Sequence, residues 1–362
     1  MVEFDVSLLV SASHSFFDGS GVLRGLSDLN RARTIRLKLS SGGVFDPRHH
    51  GLIRFDVATP DGSASRRVVV DVTDQANRFC VPALNEVDIY FKRSFSRQCI
   101  ELLAIEHQRR VRPYGLNIAC LGMSAARWHM GAAALVLGQR VAQRKPLVSA
   151  LSEFIGNCRL ATGLPGPAAF RAAPGSRAER IVILQSRIWP PEESAEDLQR
   201  VNDERIAIVR TLKSAFGSDF VGGIVADPFS ESVCPPEVLV RQNKRRGAYL
   251  KLVTSATIGV YVRGLHNAIA IKMAEYLAAG LCIVSEPIQF EVHVPLVAGV
   301  NYLVFRSEEE CVSQCEWLLS HPAEAERMRA ANLDYYAKWV EPQAHVYELL
   351  ARAFAPHTRT SE

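Results

Sequence analysis

Apolar positions along the chain fall into two alternating periods. Near the start, EFDVSLLVS over residues 3–11 reads as a buried strand, and a loop holding Gly19, Ser20 and Gly21 follows it. Ile35, Leu37 and Leu39 then alternate with Thr34, Arg36 and Lys38, the period of two that marks a half-buried strand. LIRFDVA at 52–58 and RVVVDV at 67–72 flank Pro60-Asp61-Gly62, which predicts a hairpin. A further strand is expected over 86–91, and the Ala-rich stretch 125–143 reads as a helix.

From residue 180 the pattern becomes regular. RIVILQS (180–186), FVGGIVA (220–226), TIGVYV (257–262), LCIVS (281–285) and YLVF (302–305) predict strands. Leu198, Val201, Arg205, Ile208, Val209, Leu212 and Phe216 recur at helical spacing within 196–216, and helices are also expected over 244–255 and 268–279. Ser307 with Glu310 three residues on reads as a capping box. In the helix it opens, Cys311, Cys315, Leu318 and Leu319 share a face, which assigns both cysteines to the core. YYAKWVEP ends one helix before QAHVYELLARAF forms the last.

Between the two regions, residues 161–179 are dense in Gly, Pro and Ala and read as a linker. Alternating strands and helices imply an α/β protein with parallel sheets covered on both faces. Two Rossmann-like domains facing across a cleft are expected, with the C-terminal helices packing back. The expected boundaries are 1–165, 176–340 and a closing helix over 341–362.

Composition narrows the class. The 362 residues are 48% apolar and 22% charged, enough for two sizeable cores and far from a disordered, collagenous or disulfide-scaffold chain. Forty-two Lys and Arg against 38 Asp and Glu give a net charge of +4, too small to argue for nucleic acid as a partner. The eight cysteines form no CxxC pair, so free thiols in a reducing compartment are expected. Glu3 and Asp5 precede the first apolar run, the reverse of a signal-peptide start, and no apolar run approaches the ~20 residues of a membrane span. A cytoplasmic protein follows. Basic clusters at Arg109–Arg112 and Arg140–Lys145 leave room for peripheral contact with anionic lipid at the inner face of the membrane. A third, Lys244-Arg245-Arg246, reads as a solvated helix face.

The chemistry concentrates in residues 257–286, TIGVYVRGLHNAIAIKMAEYLAAGLCIVSE, a strand, a glycine loop, a helix, Gly280 and a second strand. Gly264, Leu265, His266 and Asn267 precede the helix, so its unpaired N–H groups and positive dipole end suit a phosphate. Lys272 and Glu275 lie three apart on one helix face. A cation there can meet phosphate, and a carboxylate can accept two hydrogen bonds from a ribose diol. Arg187 follows the strand 180–186. Lys92 and Arg93 follow the strand ending at Phe91, where an anionic donor or acceptor group could be held. His14 and Asp18, in the first loop, are candidate general bases.

KMAEYLAAGLCIVSE resembles the donor-binding segment of GT-B glycosyltransferases, and the similarity extends over about 180–350. RIVILQSRIWPP, GVNYLVFRSEEEC and NLDYYAKWVEP also resemble bacterial group 1-like members used in surface-polysaccharide assembly, whereas the first 150 residues match mainly through VDIYFKRSF. The resemblance implies a GT-B-like fold and transfer of a sugar from a nucleotide-sugar donor to a saccharide or lipid-linked hydroxyl acceptor. It maps the donor ribose onto Glu275 and the diphosphate onto Arg187, giving a donor set of Arg187, Gly264, His266, Asn267, Lys272 and Glu275. Two positions depart from the family pattern. Asn267 stands where retaining members carry a second glutamate, and Ala270 where they carry glycine, which opens the questions of sugar and stereochemistry.

Two other readings stay open: a sugar-nucleotide epimerase or hydrolase on the same scaffold, and a non-catalytic partner subunit. No cofactor and no metal are expected, because no DxD-type loop is present. Full activity in excess EDTA is the predicted outcome, and its abolition would contradict this reading.

Overall fold

The computed structural model describes residues 2–12, 14–46, 48–172, 180–193, 196–241 and 246–355. It divides into two compact units, the first of 1–167, 291–294 and 338–362, the second of 168–290 and 295–337. Residues 173–179 of the expected linker lie outside the described residues, and its first residues, 161–163, instead close a helix.

The first unit begins with β1 (Phe4–Val10), α1 (Ser20–Arg31), β2 (Ile35–Ser41), β3 (Leu52–Ala58) and β4 (Ser65–Asp71). It continues through α2 (Val81–Glu86), β5 (Ile89–Lys92), α3 (Arg97–Glu101), α4 (Ile105–Gln108), β6 (Val111–Pro113), α5 (Met123–Ala142) and α6 (Leu147–Gly163). Among the described residues its strands form one six-stranded sheet ordered β2-β1-β3-β4-β5-β6. The sheet is mixed rather than parallel, because β3 runs antiparallel to both β1 and β4. The turn at 59–64 sets the pairing of β3 with β4: so short a connection can only return the chain antiparallel, whereas a parallel neighbour needs a crossover. On β1 the alternation of buried Val6, Leu8 and Val10 with half-buried Asp5 and Ser7 marks a sheet with one polar face. There Asp5 pairs with Arg36 of β2 at 2.5 Å.

The loop expected around Gly19–Gly21 is the start of α1. Its glycines serve close approach, not a turn: a Cβ on Gly25 would overlap the Pro342 carbonyl of the last helix. Val22, Leu23, Leu26 and Leu29 give α1 its buried stripe.

The second unit contains β7 (Val182–Ser186), α7 (Leu198–Phe216), β8 (Phe220–Val225), α8 (Pro228–Val233), β9 (Leu239–Val240), α9 (Arg246–Ser255) and β10 (Ile258–Tyr261). Then come α10 (Lys272–Ala279), β11 (Cys282–Ser285), β12 (Leu303–Val304), α11 (Glu308–Ser320) and α12 (Pro322–Tyr335). After a π-helical turn at Tyr336–Val340, α13 (Pro342–Phe354) returns to the first unit and packs on α1. The C-terminal helix therefore packs back as expected.

Among the described residues the second sheet is six-stranded and parallel throughout, ordered β12-β11-β10-β7-β8-β9. Every residue of β7, β10 and β11 is buried, as befits strands covered on both faces. Cys311 and Cys315 lie in that core with Leu318, and Ser307 caps α11 by accepting from the Glu310 N–H at 3.2 Å.

Gly222 sits in β8 at φ 134°, where an added Cβ would overlap the Leu184 carbonyl oxygen of β7. Gly222→Ala is expected to cost about 3 kcal/mol in urea denaturation, from strain and collision together. A loss below about 1 kcal/mol would contradict the β7–β8 packing described here.

Candidate active site

Counting strands of the second sheet from β7, their spatial order is the 6-5-4-1-2-3 of a doubly wound sheet. The chain reverses direction across the sheet between β7 and β10. Loops leaving those two strands diverge, and the crevice outside their carboxyl ends is where such sheets bind ligands. Arg187 directly follows β7, and Gly264, His266 and Asn267 follow β10, so the switch point collects these candidates from distant parts of the sequence.

The two loops are tied together by a side chain. Arg205 of α7 is buried, and its guanidinium donates to the Arg187 carbonyl at 2.5 Å and the Arg263 carbonyl at 2.5 Å. It also stacks over the Trp189 ring at 4.0 Å. Burial pulls its pKa down to about 10. Arg263 in turn bonds Glu204 at 2.5 Å and Glu286, which follows β11, at 3.1 Å. Arg205 was legible only as a member of the buried stripe of α7; a cation in an apolar stripe was the signal.

His266 and Asn267 both take left-handed backbone, at φ 57° and 60°. Asn tolerates this conformation better than most residues, but two such residues in succession mark a loop held by its surroundings. The Gly264 N–H closes onto the Ala268 carbonyl at 2.9 Å, and the His266 N–H points at Asp197 at 3.4 Å. The helix expected over 268–279 starts four residues later, at Lys272. The Tyr261 hydroxyl accepts the Ala270 N–H at 2.8 Å and keeps 268–271 out of the helix. Lys272 is thus the first helical residue and Glu275 lies in the first turn.

Glu275 is fully buried, and Arg246 of α9 reaches its carboxylate at 2.5 Å. The Lys272 ammonium lies 4.7 Å from the Tyr249 ring, which the Arg246 guanidinium also faces at 5.9 Å. Burial lowers the Lys272 pKa to about 8; Glu275 opposes the shift, while Arg246, Arg205 and Arg187 add to it. At Lys272 the fields of three guanidinium groups thus outnumber that of the one neighbouring carboxylate, an imbalance that a bound anion would relieve. Arg246 does not lie on a solvated face as the sequence suggested, and its neighbours Lys244 and Arg245 lie outside the described residues.

Residues 206–351, less than half of the chain but most of the second unit, match a family model described as "Glycosyl transferase-like". No curated protein sequence matches the chain. Among solved structures, Anabaena HepE in complex with UDP is 11% identical, covering 96% of this chain and 99% of its own, at a TM-score of 0.39. The UDP-GlcNAc 2-epimerase from Neisseria meningitidis is 12% identical over 75% of this chain and 62% of its own, at 0.36. The C-terminal domain of the group 1 glycosyl transferase LpcC from Francisella tularensis is 13% identical over 47% of this chain and 95% of its own, at 0.31.

The candidates of the first unit, largely outside the glycosyl transferase-like match, stand on geometry alone. Asp18 accepts from the Ser15 hydroxyl at 3.1 Å, and burial raises its carboxyl pKa against the pull of Arg93, 4.0 Å away. His14 is buried, and desolvation followed by the field of His129 lowers it to about 4, which makes it a weak base. Arg93 pairs with Asp74 at 2.9 Å. Lys92, expected to contact an anionic group, is instead an internal strut. Its fully buried ammonium donates to Asp71 at 3.1 Å, to Thr73 at 2.7 Å and to the Arg78 carbonyl at 2.9 Å, so all three protons already have protein acceptors. Tyr90 donates to the same Asp71 oxygen, and His49 Nε2 lies 3.2 Å from it. Among the described residues no group of three or more His, Cys, Asp and Glu side chains is placed to hold a metal ion.

Lys92→Met leaves Asp71 as a buried carboxylate without its cation and is expected to cost about 3–5 kcal/mol of stability. Arg187→Ala, at an exposed position, should stay within about 0.5 kcal/mol. Urea denaturation of both variants measures the contrast, and equal losses would contradict the internal role of Lys92.

Proposed function

We propose that the protein is a glycosyltransferase that moves a sugar from a nucleotide-activated donor to a hydroxyl acceptor, a saccharide or a lipid-linked one, in polysaccharide or glycoconjugate synthesis. One observation carries this reading: the buried Arg246–Glu275 pair and Lys272 stand in the first turn of α10, directly after the loop that leaves the switch point of the sheet, within the glycosyl transferase-like unit. In this account Arg187 and Lys272 hold the donor diphosphate and neutralise the charge that develops as it departs. Arg246 leaves Glu275 for the phosphate, which frees the carboxylate to accept two hydrogen bonds from the ribose diol. The 264–267 loop shapes the sugar end of the site. Acceptor binding belongs to the first unit, and of the two base candidates Asp18 suits deprotonation of a hydroxyl better than the buried, weakened His14.

A thermal-shift screen with UDP, GDP, ADP, CMP and dTDP, with and without magnesium, tests donor binding, since a ligand of the folded state raises its melting temperature. One nucleoside diphosphate should give a clear shift, and no shift with any would overturn the proposal. Donor consumption without any acceptor would replace transfer with epimerase or hydrolase chemistry. Glu275→Ala should weaken nucleotide binding by about 1.5–3 kcal/mol, and unchanged affinity would remove Glu275 from the site.

The pH dependence has a definite sign. Lys272 carries the charge a phosphate needs below about 8 and loses it above. Nucleotide affinity, measured by calorimetry, should fall as pH rises through that value. Lys272→Arg should flatten the fall, because arginine keeps its proton. A profile that is flat in the wild type would contradict the contact.

A further inference from the structure

The first sheet has a switch point of its own. From β1 the chain moves to β2 on one side, and β3, β4, β5 and β6 follow on the other. Strands β1, β4, β5 and β6 run in the same direction, so the loops leaving them share one edge of the sheet. Arg93, just past β5, joins these loops. Its guanidinium lies 2.9 Å from Asp74 and 4.0 Å from Asp18, and donates to the Val72 carbonyl at 3.2 Å. Both acids stay open to solvent, with 51% of the Asp74 side chain and 35% of the Asp18 side chain exposed, whereas Arg93 is buried. Beside Asp18 in the chain stands Phe17, an aromatic residue left 40% exposed. Ser94, next to Arg93, and Asn117, beyond β6, are buried, and the Ile118 carbonyl lies against Gly21 in the first turn of α1. Among the described residues neither the Ser94 hydroxyl nor either polar atom of the Asn117 amide has a hydrogen-bond partner.

The charge at this edge is acidic on balance, and that decides what it can take. Arg93 answers one of two carboxylates, and the Lys92 ammonium is committed to protein acceptors. Arg78 donates to the Arg48 carbonyl, and His14, lowered to about 4, is uncharged near neutral pH. An anion placed here would meet Asp18 and Asp74 with one carboxylate unanswered. A phosphate or carboxylate also brings acceptors only, while Asp18, Asp74 and the Asn117 amide oxygen need donors. Sugar hydroxyls both donate and accept, and the C–H face of a pyranose packs on an aromatic ring. We propose that this edge holds a neutral sugar, the acceptor of the transferred glycosyl group, with Asp18 and Asp74 taking its hydroxyls and Phe17 its apolar face. The site selects against negative charge, where the sequence expected Lys92 and Arg93 to receive it. The proposal rests on the glycosyltransferase reading for the sugar's role as acceptor, and on the first unit alone for its chemistry.

Saturation-transfer NMR titrations of the full chain with the methyl glycosides of glucose, galactose, mannose and N-acetylglucosamine, each beside its 6-phosphate, test the proposal. At least one neutral glycoside should bind, and its 6-phosphate should bind about tenfold more weakly. Asp74→Ala should weaken the neutral glycoside about tenfold and narrow its advantage over the phosphate. Phe17→Ala should weaken it about fivefold, and Phe17→Tyr should keep the wild-type affinity. These variants change side chains open to solvent, so each should retain the wild-type unfolding temperature and nucleotide affinity. A 6-phosphate that binds as tightly as its neutral parent, or neutral binding untouched by Asp74→Ala and Phe17→Ala, would overturn the proposal. Nucleotide binding with no neutral glycoside bound would overturn it while leaving the donor reading intact. A neutral glycoside bound by a chain that takes no nucleotide would do the reverse, and if neither binds both fail.

Discussion

The buried guanidinium of Arg205 bridges the carbonyls that follow β7 and β10, and the candidate active site depends on that bridge. A parallel sheet whose strand order reverses must part its loops at the reversal, which leaves backbone acceptors unpaired at the base of the crevice. Arg205 supplies the donors for both, and Trp189 covers its face. The cation is costly to bury, but its hydrogen bonds to two carbonyls make it worth more in place than absent. Once fixed, the two loops present Arg187 and the strained His266-Asn267 pair to the same crevice.

Charge balance gives this crevice its chemical character. Burial is the main cause of the low Lys272 pKa, and the fields of Arg246, Arg205 and Arg187 lower it further against the pull of Glu275. The Asp71–Lys92 network of the first unit is the opposite case. Burial alone would raise the Asp71 carboxyl, yet Lys92, His49 and Thr73 hold it well below the usual range, so the cluster is already neutralised from within. Both clusters place a lysine beside an acid, but the Lys92 ammonium has its three protons committed to protein acceptors.

Much of this was readable from the sequence, because burial on both faces writes long apolar runs and helices write their own period. The strands β7, β8, β10, β11 and β12, the hairpin of β3 and β4, the cap at Ser307 and the core cysteines of α11 follow directly from those patterns, whereas the two-residue β9 is too short to show a period. The misreadings have equally local causes. Gly19 and Gly21 looked like loop residues, although they serve close approach, Gly19 to the Ser15 carbonyl and Gly21 to the Ile118 carbonyl. Gly163 and the prolines after it drew the linker into the end of α6. The late start of α10 depends on a tertiary hydrogen bond from Ala270 to Tyr261, which no local pattern encodes. Arg246 meets Glu275 across 29 residues of sequence, so only the folded chain reveals the pair.

Backbone hydrogen exchange with and without saturating UDP, and in turn GDP, ADP and dTDP, tests the central claim most directly. With the nucleotide that binds, the account predicts slowed exchange in residues 187–189 and 263–275, where the loops of β7 and β10 meet Lys272 and Glu275. Binding accompanied by protection confined to the first unit, with these two segments unchanged, would contradict it.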